Sequence, residues 1–478
     1  MRVGGAWIGL VRVGTGRDYP TVMARSWFWQ STLRMRETHV RQKFVYLLIL
    51  MLLGDISSTF GERLFVAHDL YAPAKVPVQT NSLLASSLFD QARQACEKGN
   101  MGLALRLVEQ TLVFETDHAD ARRVLGYRRV GESWAGSYAA RRLDQDEVWH
   151  PQFGWIKKAD TQRWKEGLRP LGKRWISIAD DQRRHATIDK GWQIRTDHFR
   201  VKTNHSRSEA ARLAIRLEDF YQIWQQQVGG FFLKTEDLQQ RFDGKPSSGY
   251  RNKPFQVIYY KTRDQYNVAL RGAQPRIEMT LGIYFDTTRS THFFAGESQD
   301  VGTIYHEVVH QLFQESNRSA RNVGALANAW VIEGVACYFE SLEEHSDPLV
   351  GRYFTLGTHS AGRLPAARHR RLVDDYYVPL AELSALGMSD LQRRQDIARL
   401  YSQSAGLATF LMHYQEGRYR PALVKLLQLV YTGGDKVSTL QELTGRSFAQ
   451  LDQEYLEFLQ QEPLKSKQPQ ESRQPLQQ

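Results

Sequence analysis

Apolar and polar positions alternate along several short stretches and recur at helical spacing along most of the others. The order of the two patterns predicts the fold. Residues 192–196 and 199–203 alternate as two strands around Asp197-His198. Residues 255–260 read as a third strand, and residues 281–285 with 291–294 as a hairpin. Between these strands, Ser206-Arg207-Ser208-Glu209 is a capping-box pattern that opens a helix to about Gln227. Residues 262–270 read as a shorter helix. After Glu340 the chain reads as largely helical: 383–391, 400–413, 423–431 and 439–459 carry the pattern, and 363–371 is a solvated basic loop. This order predicts an α+β domain with a small mixed sheet and a helical C-terminal part.

Upstream, residues 88–129 show helical periodicity in three pieces. Ala92, Cys96, Gly99, Ala104 and Leu107 match the positions of a tetratricopeptide-like helical hairpin. One and a half such units cannot build a solenoid, because each is stabilised by stacked neighbours. A short helical extension docked on the main domain is therefore expected. Residues 134–181 are dense in tryptophan, with Trp149, Trp155, Trp164 and Trp175 among turn residues. Short hairpins with large side chains filling a small core fit this stretch; a sugar- or peptide-binding surface is the other reading.

Residues 44–53, FVYLLILMLL, form an apolar run behind Arg41 and Lys43. That is the length of a signal-peptide core and too short to span a bilayer. A start at Met35 would place MRETHVRQK before the run, the usual charged leader. A single uncleaved anchor is the alternative, and both readings put the remainder outside the cytoplasm: periplasmic, envelope-bound or secreted. The organisation expected is a signal region (1–61), a linker (62–87), the helical segment (88–132), the Trp-rich connection (133–190), the main domain (191–460) and a disordered Gln/Pro/Lys/Ser tail (461–478).

The chemistry concentrates between Gly302 and Glu340. His306-Glu307-Val308-Val309-His310 is an HExxH. On a helix, His306 and His310 share one face and point two imidazoles at one cation, while Glu307 reaches a water there. Val308, Val309, Leu312 and Phe313 supply the apolar surroundings of a buried helix. Zinc suits three protein ligands and an open position, so a third ligand is needed. Glu333, in Trp330-Val331-Ile332-Glu333-Gly334, is the candidate: 22 residues separate it from His310, enough for one helix to end and another to return. The bland alternative is a helix with two surface histidines. Glu340, seven residues beyond Glu333, either hydrogen-bonds a ligand histidine or faces solvent. His292, in the preceding hairpin, reads as structural or substrate-facing and not as a ligand.

The HExxH followed by W-x-x-E-G-x-A-x-Y-x-E resembles the gluzincin clan of zinc peptidases, and in particular an uncharacterised family of secreted bacterial proteins with a gluzincin-like domain. Residues 192–206, 280–294, 306–315 and 401–413 carry that likeness, which spans roughly 145–460. The resemblance implies a thermolysin-type domain with zinc on His306, His310 and Glu333, and Glu307 as the base that activates water. It implies a tyrosine, Tyr401, that steadies the oxyanion, although the glycine of the clan's Y-x-x-G is Ser404 here. It further implies an extended peptide or protein substrate paired with the hairpin edge. No G-x-M-E-N-like run for a free amino terminus is present, so an endopeptidase is favoured over an exopeptidase. A zinc-bearing envelope module that binds peptide without cleaving it is the rival reading.

Composition changes this picture little. Over 478 residues, 42% hydrophobic and 11% aromatic content fits globular domains with sizeable cores. The formal charge of +11 is partly local, since residues 1–43 hold eight Arg/Lys against two acidic residues. No basic stripe with interleaved aromatics is present, so a nucleic-acid partner is not expected. No membrane contact is expected beyond the N-terminal signal or anchor. Cys96 and Cys337 are far apart in sequence; Cys337 reads as a small buried residue, with a disulfide between the two left open.

Overall fold

The computed structural model describes residues 62–66, 70, 81–245, 253–296, 300–347 and 351–461. The apolar run at 44–53, the start at Met35 and the tail from 462 lie outside them. The described chain begins with a strand, β1 (Glu62–Leu64), inside the stretch expected to be linker. A helical hairpin follows, α1 (Ser82–Glu97) and α2 (Met101–Phe114), then the short α3 (Ala119–Val124). Asn81 and Asn100 cap the first two by accepting from the Leu84 and Leu103 N–H groups, as short polar side chains do at helix starts. Ala92, Cys96, Ala104 and Val108 meet across the hairpin. Cys96 and Cys337 are both free and buried, so no disulfide joins them.

The Trp-rich stretch forms three two-stranded hairpins: β2 (Arg128–Val130) with β3 (Ser133–Ala135), β4 (Glu147–His150) with β5 (Gly154–Lys157), and β6 (Leu168–Leu171) with β7 (Arg174–Ser177). Three short helices, α4 (Ser137–Leu143), α5 (Thr161–Lys165) and α6 (Ile178–Arg184), punctuate them. The aromatics do fill small cores: Trp155 packs with Ala135, Ala139 and Ala140, and Trp164 with Phe153 and Ile156.

The main sheet contains β8 (Trp192–Arg195), β9 (Phe199–Thr203), β10 (Phe255–Tyr260), β11 (Gly282–Phe285) and β12 (Ser290–Phe294), in the order β11-β12-β10-β9-β8. β9, β10 and β12 run parallel, and both edge strands are antiparallel to their neighbours. Helices α7 (Arg207–Val228) and α8 (Thr235–Phe242) cross from β9 to β10, and α9 (Arg263–Leu270) follows β10. Strand alternation divides the sheet between two cores. Phe255, Val257 and Phe293 join Leu217, Phe220 and Trp224 of α7 in the main core, whereas Tyr260 and Phe294 pack with Tyr266 and Leu270 of α9. Gly102 brings the helical hairpin against α7, where a Cβ would lie 2.7 Å from the Gln226 carbonyl oxygen.

Two long helices follow, α10 (Val301–Ser316) and α11 (Ala329–Phe339). The chain beyond is not uniformly helical. Glu343–Asp347 (β13) and Gly351–Leu356 (β14) pair, and β1 adds to β14, making a second sheet that sequence reading missed. Its exposed, charged β13 carries no apolar alternation, and its third strand comes from far upstream, so no local signal existed. The expected basic loop is instead a helix, α12 (Leu364–Leu372), with Pro365 in its first turn and Leu364 and Ala367 buried one turn apart. Then come α13 (Leu380–Ala385), α14 (Met388–Arg393), α15 (Ile397–Gly417), α16 (Arg420–Thr432), α17 (Thr439–Thr444) and α18 (Phe448–Gln460). The whole is a mixed α+β structure, mostly helical with small sheets.

Every residue of α11 is buried, as expected for a helix apolar on all sides. It crosses α15 at Gly334, where a Cβ would stand 2.6 Å from the Ser404 carbonyl oxygen. The close approach is made by the glycine on α11, and a serine suffices on α15. Gly334→Ala is expected to force the helices apart and destabilise the protein by about 1–3 kcal/mol, read as a lower midpoint in urea unfolding. An unchanged midpoint would mean this crossing tolerates a Cβ.

Candidate metal centre

Helix α10 starts at Asp300, whose side chain accepts from the Thr303 N–H. Ile304, Val308, Val309 and Leu312 bury one side of it in the main core. The remaining faces carry His306 and His310 toward α11 and Glu307 toward β11. That second helix is fixed at its start by Asn328, fully buried and left-handed at φ 51°, a conformation asparagine tolerates better than most residues. The Asn328 amide donates to the Asp435 carboxylate at 3.0 Å and to the Lys436 carbonyl at 2.8 Å. One and a half turns later comes Glu333, the only charged side chain within the helix.

The three predicted ligands converge. His306 Nε2 lies 3.1 Å from His310 Nε2, and Glu333 Oε2 lies 3.4 and 3.6 Å from the same two nitrogens. Donors about 2.0–2.2 Å from a tetrahedral ion stand roughly 3.3–3.5 Å apart, so this triangle fits such an ion. The donor set, two imidazoles and one carboxylate, also suits a first-row divalent cation. Burial works against charge on Glu333, but the His310 and His306 imidazoles outweigh it and hold the carboxyl well below its usual range. Burial likewise opposes charge on His306, and its bonds to Cys337, Glu333 and Glu340 reverse the balance and raise it well above the usual histidine range. The pocket favours positive charge.

Glu340 caps the C-terminal end of α11 and turns back to His306. Its Oε1 lies 2.8 Å from His306 Nδ1. The Arg363 guanidinium grips the same carboxylate, with Nε 2.6 Å from Oε2 and Nη2 3.1 Å from Oε1. Arg363 opens the stretch expected to be a solvated basic loop; that stretch is a helix, and the arginine before it anchors the site. Cys337 Sγ is 3.8 Å from His306 Nδ1, and burial pushes its thiol up. His306 Nδ1, Cys337 and Glu340 form a second group of potential ligands. Arg363 argues against a cation there, because its own charge already pairs with Glu340. The Nε2 side is therefore the candidate centre, with Glu340 orienting His306 from behind.

A cavity of about 520 Å³ opens on the centre, lined by His306, Glu307, His310, Glu333 and Tyr401 and by the β11 edge. The Tyr284 N–H donates to Glu307 Oε2 at 3.0 Å. Tyr401 is 3% exposed and packs against Cys337 and Ala405. Burial, and then chiefly the Glu333 carboxylate, push its phenol far up, so it stays a neutral O–H donor. His292 lies elsewhere, on the α9 side of the sheet. It bonds Ser290 Oγ at 2.8 Å, and burial lowers it to about 4. Of the predicted residues, the structure thus brings six together and sets His292 apart.

Residues 300–432 match the model of a family described as a protein of unknown function, DUF1570. That span takes in His306, Glu307, His310, Glu333, Glu340, Arg363 and Tyr401. No curated protein matches the chain, and no solved structure does. Glu340→Gln is expected to weaken binding of a divalent cation by roughly 10–100-fold, with a smaller loss for Arg363→Met. Competition against a chromophoric chelator would measure both. Unchanged affinity in the two variants would mean that the carboxylate does not orient His306.

Proposed function

We propose that this chain is a zinc-dependent peptide-bond hydrolase of the gluzincin type, an endopeptidase acting outside the cytoplasm. One observation carries the reading: Glu307 lies on an open cavity beside three converging metal donors, and its Oε2 is held by a backbone N–H of the edge strand. Zinc on His306, His310 and Glu333 would supply Lewis acidity and make water a better nucleophile near neutral pH. Glu307 takes the proton of the attacking water and passes it to the leaving amine. The bond from Tyr284 fixes its direction, and its second oxygen has no partner among the described residues. Tyr401, kept protonated, donates to the oxygen on which negative charge develops.

The substrate reading rests on β11. Tyr284 pairs with Thr291 in the antiparallel hairpin, yet its N–H goes to Glu307, so that side of the strand faces the cavity. Gly282, two residues away, faces the same side, and a Cβ there would stand 3.2 Å from Glu307 Cγ. Apart from the Tyr284 N–H, which Glu307 occupies, this edge can take an extended peptide through backbone hydrogen bonds, with its scissile carbonyl toward the donors. The apolar run at 44–53 supports export. The alternative, a zinc-bearing module that binds peptide without cleavage, is disfavoured by the open cavity and by a donor group of three among the described residues.

Elemental analysis of the purified chain, paired with a mixed peptide library, tests the proposal. About one zinc per chain is expected, with cleavage abolished by a chelator. Glu307→Gln should keep the zinc and lose at least ~10²-fold in turnover; normal hydrolysis by this variant would remove the mechanism. Zinc without any cleavage would leave the binding module. Tyr401→Phe should lower kcat by about 10²-fold with KM little changed. A rise in KM at constant kcat would instead place the tyrosine in substrate binding.

A further inference from the structure

The β4-β5 and β6-β7 hairpins ahead of the main sheet line a second cavity, of about 500 Å³, which the metal centre does not use. Trp164, Trp175, Arg169, Arg207, Asp160 and Asp181 line it. Two guanidiniums converge on one ring: Arg169 Cζ lies 4.7 Å and Arg207 Cζ 4.8 Å from the Trp164 centroid. Each is steered by backbone carbonyls. Arg169 Nη1 donates to Trp164 at 3.0 Å and to Leu168 at 2.8 Å, and Arg207 Nε donates to Phe153 at 2.7 Å. Neither has a carboxylate at salt-bridge distance among the described residues. Arg207 is also the first residue of α7, whose positive end adds to the field.

Two like charges drawn to one ring and partly desolvated are costly unless something answers them. Burial pushes Arg207 down to about 10; the Asp181 charge works against that shift, and Arg169 adds a smaller push in the same direction as burial. Nearby carboxylates are committed elsewhere: Asp181 accepts from Trp192 Nε1 at 2.9 Å and faces His185 at 3.3 Å, and Asp160 lies 3.9 Å from Arg163. A multiply charged anion would meet these carboxylates as well as the arginines. A ligand with one negative group and several hydroxyls fits both, since the arginines bind the anion and the aspartates accept from hydroxyls. The half-buried Trp175, with Arg163 Cζ 5.0 Å over its ring, adds an aromatic wall to the cavity.

We propose that this cavity binds an acidic sugar of the uronic-acid type, its carboxylate held between Arg169 and Arg207. The site is separate from the metal centre and does not depend on the hydrolase reading. It gives the Trp-rich stretch a recognition role beyond filling a small core.

The full-length protein would be titrated by calorimetry and saturation-transfer NMR with D-glucuronate, glucose, acetate and a C-terminally free dipeptide. Glucuronate should saturate, with each of the others at least ~10-fold weaker. Arg207→Met should weaken glucuronate at least ~10-fold and leave zinc content unchanged. Arg169→Lys, which keeps a charge but loses the planar fork, serves if the first variant does not fold, and should also weaken it. No saturable glucuronate binding by the wild-type chain overturns the proposal. So does a dipeptide or acetate that binds as tightly as glucuronate, which would mark a pocket for a bare carboxylate. Undiminished binding in the folded variant would overturn the placing of the carboxylate.

Discussion

A carboxylate set in a helix buried on every side has to be answered by positive charge, and much of the C-terminal half answers Glu333. Helix α11 offers it no partner of its own, since its neighbours in sequence are apolar or small. An isolated charge in such surroundings would be strongly destabilising. The two imidazoles of α10 are the reply, and they can reach Glu333 only because the helices lie against each other at the height of His306 and His310. A cation shared by all three donors would complete the neutralisation, which makes metal binding and correct packing of the two helices parts of one event.

The same logic extends outward in layers. His306 has two ring nitrogens and needs both directed. Nε2 faces the other donors; Nδ1 is committed to Glu340, and Glu340 in turn to Arg363. The chain of contacts runs from α10 through the end of α11 to the residue before α12. It therefore fixes the relative placement of three elements by charge, while Gly334 fixes α11 against α15 by shape. Tyr401 sits at that crossing and inherits its position from it.

The centre was legible because its parts are local or regularly spaced. HExxH needs only a helix to bring His306 and His310 together, and Glu333 stands out as a lone acid in an apolar run. The strand alternation of β9, β10 and β12 was equally plain, and it divides between two cores as alternation should. What sequence did not show depends on partners distant in the chain. Arg363 looks like one basic residue among several, and its role appears only when Glu340 turns back toward it. The second sheet escaped for the same reason: β13 is charged and exposed, and β1 is three residues long in a stretch read as linker. In the 363–371 segment charge masks the helix, and Leu364, Pro365 and Ala367 are the informative residues.

That short strand has a temporal meaning. β1 pairs with β14 nearly the length of the domain away, and Glu62 within it is clasped by Arg106 of the helical hairpin and Arg420 of α16. Burial opposes the Glu62 charge, and the two arginines overcome it and hold the carboxyl well below its usual range. The Arg106 contact lies only 44 residues on, but the strand pairing and the Arg420 contact need β14 and α16, so a segment made early on the ribosome finds two of its three partners late. Until then β1 can be held only on the hairpin side, and the lock between hairpin and C-terminal helices cannot close before that end of the chain is made.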